Sequence, residues 1–366
     1  MSFIPRHAFP PLPSLPRSYF LGHHKAGLQK MKSLLSSIDL VVECRDYRVP
    51  LTSRNPLFEK ALEGKERVLV YTKRDLGGSV RDGKHEEIIR GWHAPSTVMF
   101  VRNGREKDGE VGSGEGGARK SVYKLLDVLR EHAQTRWKLV GHRVMVVGMP
   151  NVGKSTLLNA LRAQGIGKGK VAQTGAQPGV TRKVGSGVKI MPSEDDIEGM
   201  DEGAKRRSRA VGGGVYLLDT PGVFIPYVPD AEAMMKLALC GSVKDTIISP
   251  VVLADYLLFH VNRVDPTLYS EYAPGPTNDI IELLESMARK TGRLGKGGAV
   301  DVEATALWMI QKWRTGFLGR FLLDPIEQGS LDMAKVVEEG AEPSFNQAKR
   351  VERERRRARN KARGEK

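Results

Sequence analysis

Short apolar runs alternate with segments that have one apolar face along the first part of the chain. Runs of about four to six apolar residues are typical of strands buried on both sides of a sheet, whereas spacings of three and four are typical of helices. The runs predict strands at residues 38–43, 67–72, 97–101, 143–148, 187–190 and 215–219. The spacings predict helices at residues 25–37, 55–62, 120–132 and 154–162. This alternation predicts an α/β fold with a mainly parallel sheet.

From residue 229 onward the apolar pattern is entirely helical. It predicts helices at residues 231–239, 251–261, 279–289, 301–314 and 331–339. Stretches rich in glycine and charge follow neither period, and we interpret them as surface insertions at residues 77–85, 102–119 and 192–214. We therefore expect an N-terminal extension, an α/β domain, an all-α C-terminal domain and a basic tail, at residues 1–19, 20–228, 229–345 and 346–366.

A glycine-rich motif connects the strand predicted at 143–148 to the helix predicted at 154–162. Its sequence is Gly148-Met149-Pro150-Asn151-Val152-Gly153-Lys154-Ser155. It fits the phosphate-loop pattern G-x-x-x-x-G-K-[ST], and its strand–loop–helix context disfavours an accidental glycine-rich turn. We expect the backbone from Met149 to Thr156 to bind phosphate oxygens. Lys154 is expected to reach the β- and γ-phosphates of a nucleotide, and Ser155 is expected to bind Mg²⁺.

Two later segments offer further ligands for Mg²⁺ and the γ-phosphate. Asp219-Thr220-Pro221-Gly222 ends a predicted strand, where Asp219 can hold the Mg²⁺ shell and the Gly222 N–H can reach the γ-phosphate. The pattern D-x-x-G is also common in ordinary turns, so its place after the phosphate loop carries this interpretation. In the segment 177–182, Thr181 is predicted to contribute its hydroxyl to Mg²⁺ and the γ-phosphate, with Thr174 as the alternative.

A base-recognition motif, Thr72-Lys73-Arg74-Asp75, closes the strand predicted at 67–72. GTPases usually carry Asn-Lys-x-Asp at this point, and the carboxylate of the aspartate accepts hydrogen bonds from guanine N1–H and the exocyclic amine. Adenine cannot make this pairing and would leave a buried acceptor unpaired. Here Thr72 replaces the asparagine with a shorter side chain, so guanine selection depends on Asp75. The alternative interpretation is a solvated charged turn.

The residues after Gly222 carry no side chain that polarises water. Val223, Phe224 and Ile225 stand where GTPases of the Ras type place a glutamine. Hydrolysis is therefore expected to depend on charge neutralisation at the phosphates, and to be slow without a partner. Asn151 is a candidate ligand for K⁺, which can stand in for an arginine finger.

The order of these motifs is unusual. The base-recognition motif precedes the phosphate loop, whereas it follows that loop in most GTPases, and joining nearby termini of a compact α/β domain produces such an order without disturbing the site. The runs SIDLVVECRDYRVPLTSRNPLFE, TKRD, GMPNVGKST, PGVTR, DTPGV and LALCGSVKDTI resemble the circularly permuted ribosome-assembly GTPases. The resemblance covers about residues 20–325. Departures are Thr72, an indistinct fifth guanine motif at 100–104, and the insertion 192–214.

The resemblance implies GTP hydrolysis coupled to maturation of the large ribosomal subunit. It further implies rRNA contact through the helical domain and activation by K⁺ and the ribosome. For the mitochondrial branch of the family it implies a matrix location with peripheral association to the inner membrane.

The charge of the chain agrees with an anionic partner. Lys and Arg outnumber Asp and Glu by 58 to 43, and the pI is about 9.7. Such an excess favours either nucleic acid or an anionic membrane surface. Residues 349–366 contain ten Lys/Arg and three Glu, which is typical of phosphate contact or of a disordered solubilising tail. No apolar run approaches the roughly 20 residues that a membrane span needs.

The N-terminus suggests mitochondrial import. Residues 1–38 contain five basic residues and no acidic residue, as mitochondrial presequences do. Prolines 10, 11, 13 and 16 disfavour an amphipathic helix there, and without import the protein would be cytoplasmic. Two other functions stay open: an ATP-using P-loop enzyme, which would lack TKRD, and a non-hydrolysing RNA-binding scaffold with a decayed site.

Overall fold

The computed structural model describes residues 3–11, 22–78, 83–102, 115–172, 187–198, 209–224, 228 and 230–340. The predicted switch residue Thr181, its alternative Thr174, and the basic tail 346–366 lie outside these ranges. Among the described residues, no helix is both long and apolar enough to cross a bilayer.

A six-stranded sheet forms the centre of the α/β part, and the prediction of a mainly parallel sheet is confirmed. The strand order is β3-β2-β1-β4-β6-β5, and β5 alone among these strands runs antiparallel to its neighbour. The strands are β1 (Leu40–Asp46), β2 (Arg67–Thr72), β3 (Thr97–Phe100), β4 (His142–Gly148), β5 (Val188–Met191) and β6 (Val215–Asp219). The helices of this part are α1 (Gly22–Leu34), α2 (Pro56–Ala61), α3 (Gly83–Trp92), α4 (Glu115–Thr135) and α5 (Lys154–Ile166).

The parallel arrangement brings the predicted motifs to one edge of the sheet. The four strands β2, β1, β4 and β6 are adjacent and point the same way. Their last residues are Thr72, Asp46, Gly148 and Asp219. Ligands of open α/β sheets bind outside the carboxyl ends of the strands, so the fold places all three nucleotide motifs at the binding edge.

Strand β1 extends further than the apolar run at 38–43 predicts. It continues to Asp46, and all its residues are buried, including three charged ones. These charges are compensated within the structure: Arg45 donates to Glu43 at 2.7 Å, and Arg48 donates to Asp46 at 2.8 Å. Buried charges persist when they are paired and hydrogen-bonded, so the strand does not end where the apolar pattern ends.

Helix α3 was missed by the sequence pattern. It begins inside the stretch 77–85, so the interpretation of that stretch as an insertion is wrong for residues 83–85. Two glycines, at positions 83 and 91, and four charged residues interrupt the apolar period of this helix, and Ile89 is its one buried residue.

The C-terminal region is helical, as predicted. Its helices are α6 (Ala231–Leu239), α7 (Pro250–Val264), α8 (Ile280–Thr291), α9 (Val302–Arg314) and α10 (Ser330–Gly340). Aspartates cap three of them: Asp230 accepts from Ala233 N at 2.6 Å, Asp279 from Ile281 N at 2.8 Å, and Asp301 from Ala304 N at 2.9 Å. These N-caps satisfy amides that the helix leaves unpaired, and each of the three helices begins within about one residue of the start that the apolar pattern predicts.

The helical region shares its core with the sheet. One cluster of buried side chains runs from Leu40 and Val146 in the sheet to Leu257 in α7 and Trp313 in α9. After α9 the chain returns to the α/β part, where the Asp324 carboxylate accepts hydrogen bonds from residues 51 and 52. The residue limits of the two domains stay a prediction.

The N-terminal residues 3–11 pack against α7. The Arg6 guanidinium forms an ion pair with Asp255 at 2.7 Å, and the Phe9 ring meets the rings of Tyr256 and Phe259 at centroid distances of 5.1 and 5.8 Å. Part of the segment predicted as a presequence is therefore also a structural element of the folded chain.

Candidate functional site

The phosphate loop follows β4 and leads directly into α5. Gly148 and Gly153 adopt φ angles of 152° and 93°, a region that side chains rarely enter. A Cβ on Gly148 would lie 2.5 Å from the Cys44 carbonyl oxygen, so this position also needs glycine for close packing. The loop therefore has the glycine-dependent conformation in which backbone amides and the N-terminus of α5 can bind an anion.

Lys154 is a buried cation at the start of α5. Its side chain is 6% exposed, and Nζ donates a hydrogen bond of 2.8 Å to the Met149 carbonyl oxygen of the loop. Burial lowers the pKa of Lys154, and the nearby Lys73 adds to this shift while Asp219 opposes it. An ammonium group removed from water at a phosphate loop gains strongly from an anionic ligand.

Ser155 and Asp219 meet beside the loop. The Ser155 hydroxyl donates to Asp219 Oδ2 at 2.6 Å. Asp219 is buried, and its second oxygen, Oδ1, has no hydrogen-bond partner among the described residues. Hydroxyl and carboxylate oxygens are the ligands that Mg²⁺ prefers, so this orphaned oxygen and its neighbour fit the predicted metal site. Thr181, the third predicted ligand, lies outside the described residues.

The Asp219–Gly222 segment packs against the phosphate loop. A Cβ on Gly222 would lie 2.5 Å from Pro150 Cα, and the Val223 amide donates to the Gly148 carbonyl at 3.2 Å. Gly222 therefore lies directly against the phosphate loop, and its contact with the γ-phosphate stays a prediction. The side chains of Val223 and Phe224 are buried, and neither carries a group that polarises water.

The base-recognition motif contacts the phosphate loop directly. The Thr72 hydroxyl contacts the carbonyl oxygens of Val152 and, at 3.2 Å, Arg45. Lys73 Nζ donates to the Asn151 carbonyl oxygen at 2.8 Å, across a sequence separation of 78 residues. Two motifs far apart in sequence therefore share one site.

Arg74 and Asp75 continue the motif in a short 3-10 turn that ends at Leu76. The Arg74 side chain pairs with Glu86 of α3 at 2.6 Å, so it points to that helix. Its backbone amide donates to the Val101 carbonyl oxygen at 3.1 Å, which brings the start of the expected fifth guanine motif to the same place. Residues 103–104 of that motif lie outside the described part of the chain.

A buried ion cluster supports the site and was not singled out from the sequence. Asp46 Oδ2 accepts hydrogen bonds from both Arg48 and Lys73 at 2.8 Å. Burial raises the pKa of the Asp46 carboxyl, but the two cations outweigh it and hold the pKa well below its usual range. The sequence signal for this cluster is the charged pair Arg45-Asp46, which comes at the end of the apolar run of β1.

The Thr72 hydroxyl is expected to strengthen nucleotide binding by holding the base-recognition motif on the loop. We expect Thr72→Val to weaken guanine nucleotide binding about 5- to 10-fold, because an isosteric side chain loses one buried hydrogen bond worth about 1 kcal/mol. Thr72→Ser keeps the hydroxyl and is the matched control. Equilibrium titration with a fluorescent GDP analogue measures both, and equal affinities for the two variants would contradict the role.

The sequence of this chain is similar to those of known GTPases. A family model described as 50S ribosome-binding GTPase matches residues 143–290. Mitochondrial GTPase 1 of Schizosaccharomyces pombe is 36% identical over 340 residues, covering 90% of this chain and 96% of that protein. The mitochondrial ribosome-associated GTPase 1 of Mus musculus is 34% identical, covering 84% of this chain and 89% of that protein.

Among solved structures, GNP-bound YlqF from T. maritima is 22% identical, with a TM-score of 0.49, over 82% of this chain and 97% of that one. The extent and identity of the match to the named mitochondrial relatives decide the assignment. The chain belongs to the mitochondrial GTPase 1 family of circularly permuted GTPases.

Proposed function

We propose that this GTPase is an assembly factor for the large subunit of the mitochondrial ribosome, and that its nucleotide state controls its binding to rRNA. The observation that carries the GTPase part of the proposal is the contact of Lys73 with the phosphate loop, which joins the base-recognition and phosphate motifs in one site. The name of the mouse relative, a mitochondrial ribosome-associated GTPase, supports a ribosomal partner. Membership of a GTPase family argues against an ATP-using enzyme.

The site residues have separate roles in this proposal. Asp75 selects guanine, supported by Thr72, Lys73 and the backbone of Arg74. Lys154 and the backbone amides of residues 149–156 bind the phosphates. The metal ligands are Ser155, Thr181 and Asp219. When bound, Mg²⁺ neutralises charge on the β- and γ-phosphates.

Hydrolysis is the in-line attack of water on the γ-phosphate, which releases inorganic phosphate and GDP. The Gly222 N–H stabilises the γ-phosphate oxygens, while the buried side chains of Val223 and Phe224 leave the water unpolarised. Asn151 is the proposed ligand for an activating K⁺. Catalysis then depends on charge neutralisation alone, so the isolated protein hydrolyses GTP slowly and the ribosome accelerates it.

A cluster of cations and rings on the helical region supports RNA binding. The Arg293 guanidinium lies 4.3 Å from the centre of the Trp308 ring, and Lys312 Nζ lies 5.1 Å from the rings of both Trp308 and Phe317. Phe317 is 59% exposed. An exposed ring beside cations is suited to stack on an unpaired base while the cations contact phosphates.

Charge reversal on this cluster tests the RNA surface. We expect the double variant Arg293→Glu/Lys312→Glu to weaken binding to large-subunit rRNA at least about tenfold. The slope of log affinity against log salt concentration should fall by the amount that corresponds to about one to two phosphate contacts. Lys60→Glu changes an exposed lysine of α2 and is the control. Filter binding over a salt series measures both variants, and equal losses for the two would place the RNA surface elsewhere.

The proposed location is the mitochondrial matrix, with peripheral association to the inner membrane. The names of the relatives support the mitochondrial part. Membrane association has its support in the net charge of +15, which attracts anionic lipid as well as RNA.

Single-turnover hydrolysis tests the function as a whole. GTP hydrolysis is measured with the full chain alone, with large mitochondrial subunits and with small ones. We expect slow hydrolysis alone and acceleration of at least about tenfold by large subunits only. RNA binding without any hydrolysis would favour the non-hydrolysing scaffold instead.

A further inference from the structure

Helix α6 ends in a turn that belongs to the helical region and touches the phosphate loop. The amides of Gly241 and Ser242 donate to the carbonyl oxygens of Ala238 and Leu237, both at 2.9 Å. Gly241 adopts a φ of 78°, as the left-handed residue of this helix ending requires. We call residues 237–242 the α6 turn.

The α6 turn makes two hydrogen bonds to the phosphate loop. Asn151 Nδ2 donates to the Gly241 carbonyl oxygen at 3.1 Å, and the Ser242 hydroxyl donates to the Pro150 carbonyl oxygen at 3.0 Å. A Cβ on Gly241 would lie 2.8 Å from Asn151 Nδ2, so the contact leaves no room for a side chain. The helical region therefore fixes the Asn151 amide directly.

Arg314, the last residue of α9, holds the α6 turn in place. Its guanidinium donates to the carbonyl oxygens of Ala238 and Leu239 at 2.8 Å each. On its other side it forms a bidentate pair with Asp245, at 2.6 and 3.1 Å. A cation on the last carbonyls of a helix is favoured by the helix dipole, and the planar fork of Arg fixes its geometry in a way that Lys cannot.

The residue before Arg314 reaches the loop by another route. The Arg48 guanidinium lies 4.7 Å from the centre of the Trp313 ring and pairs with Asp46, which in turn pairs with Lys73. Lys73 donates to the Asn151 backbone carbonyl at 2.8 Å. The end of α9 is thus connected to both the backbone and the side chain of Asn151.

We propose that Arg314 is a positioning residue for GTP hydrolysis, which acts by holding the α6 turn so that the Gly241 carbonyl orients the Asn151 amide in the phosphate loop. The proposal rests on the proposed GTPase function. Because Gly241 accepts from Nδ2, it fixes the direction of Oδ1, the atom with which Asn151 would bind a monovalent cation. The effect of rRNA binding to the helical region would then be transmitted to Asn151 through α9 and the α6 turn, a route that does not use the switch segments.

Arg314→Ala tests this role through kinetics. We expect kcat to fall about tenfold, the K⁺ concentration for half-maximal activity to rise at least threefold, and the Kd for a fluorescent GDP analogue to change less than twofold. One lost orienting hydrogen bond supports a change of this size. Arg314→Lys keeps one cation without the bidentate geometry and is expected to recover part of kcat. Arg289→Ala, at an exposed arginine of α8, is the control for loss of charge.

A double-mutant cycle separates positioning from general destabilisation. If Arg314 acts through Asn151, then Arg314→Ala lowers kcat by less than twofold in an Asn151→Ala background. Ser242→Ala, which removes one bond to the loop and no charge, is a milder second variant and should give a smaller loss of the same kind. Additive effects of Arg314 and Asn151, or wild-type kinetics for Arg314→Ala, would overturn the proposal. Failure of the wild-type chain to hydrolyse GTP would instead refute the proposed function.

Discussion

Replacement of Lys154 by methionine is expected to lower kcat/KM for GTP by at least about a hundredfold, because the variant loses the buried ammonium that we propose binds the β- and γ-phosphates. The two side chains have similar length, and methionine removes the cost of burying a charge, so the fold should be preserved. Steady-state hydrolysis measures the effect.

Thermal unfolding supplies the control for this variant. Lys154 is buried, and within the described part of the chain its Nζ donates a hydrogen bond to the Met149 carbonyl oxygen. We therefore expect the unfolding temperature of Lys154→Met to stay equal to that of the wild type or to rise. Hydrolysis within threefold of the wild type, in a variant that folds normally, would contradict the role of Lys154.

Replacement of Asp75 by asparagine is expected to change the preferred base from guanine to xanthine. Asp75 offers two acceptors to the N1–H and the exocyclic amine of guanine, whereas asparagine offers one acceptor and one donor. Xanthine carries an oxygen in place of that amine and suits the variant. A site built to hydrogen-bond one group rejects the wrong partner by about 10⁴-fold, so we expect GTP affinity to fall by at least about a thousandfold.

XTP binding is the internal control for this substitution. The phosphate loop and its contacts with Lys73 are untouched, so the variant should bind XTP at least tenfold more tightly than it binds GTP. Competition against a fluorescent nucleotide measures both affinities. Equal loss of GTP and XTP binding would mean that Asp75 supports the fold and does not read the base.

The sequence predicts the features that depend on local chemistry. Helices α6, α8 and α9 begin at aspartate caps, and the strands that carry motifs are marked by apolar runs, so their positions follow from nearby residues. The glycines of the phosphate loop are likewise predictable because their positive φ angles are a local requirement.

Features that depend on distant partners could not be predicted in this way. The last residues of β1 are charged, and only their pairing with Arg48 and neighbouring side chains makes them a buried strand. Thr72 and Lys73 donate hydrogen bonds to the carbonyl oxygens of Val152 and Asn151, respectively, and so hold the base-recognition motif against the phosphate loop. Nothing in the local sequence identifies these partners. The α6 turn was visible only as part of a family resemblance, since its contact with the loop is tertiary.

We expect a single GTP molecule to connect the base-recognition motif to the phosphate loop. A crystal structure of the full chain with Mg²⁺ and a non-hydrolysable GTP analogue tests this most directly. We expect the Asp75 carboxylate to lie within hydrogen-bond distance of guanine N1 and the exocyclic amine, and Lys154 Nζ to contact the β- and γ-phosphates of the same molecule. A guanine bound away from Asp75 while its phosphates occupy the loop would contradict it.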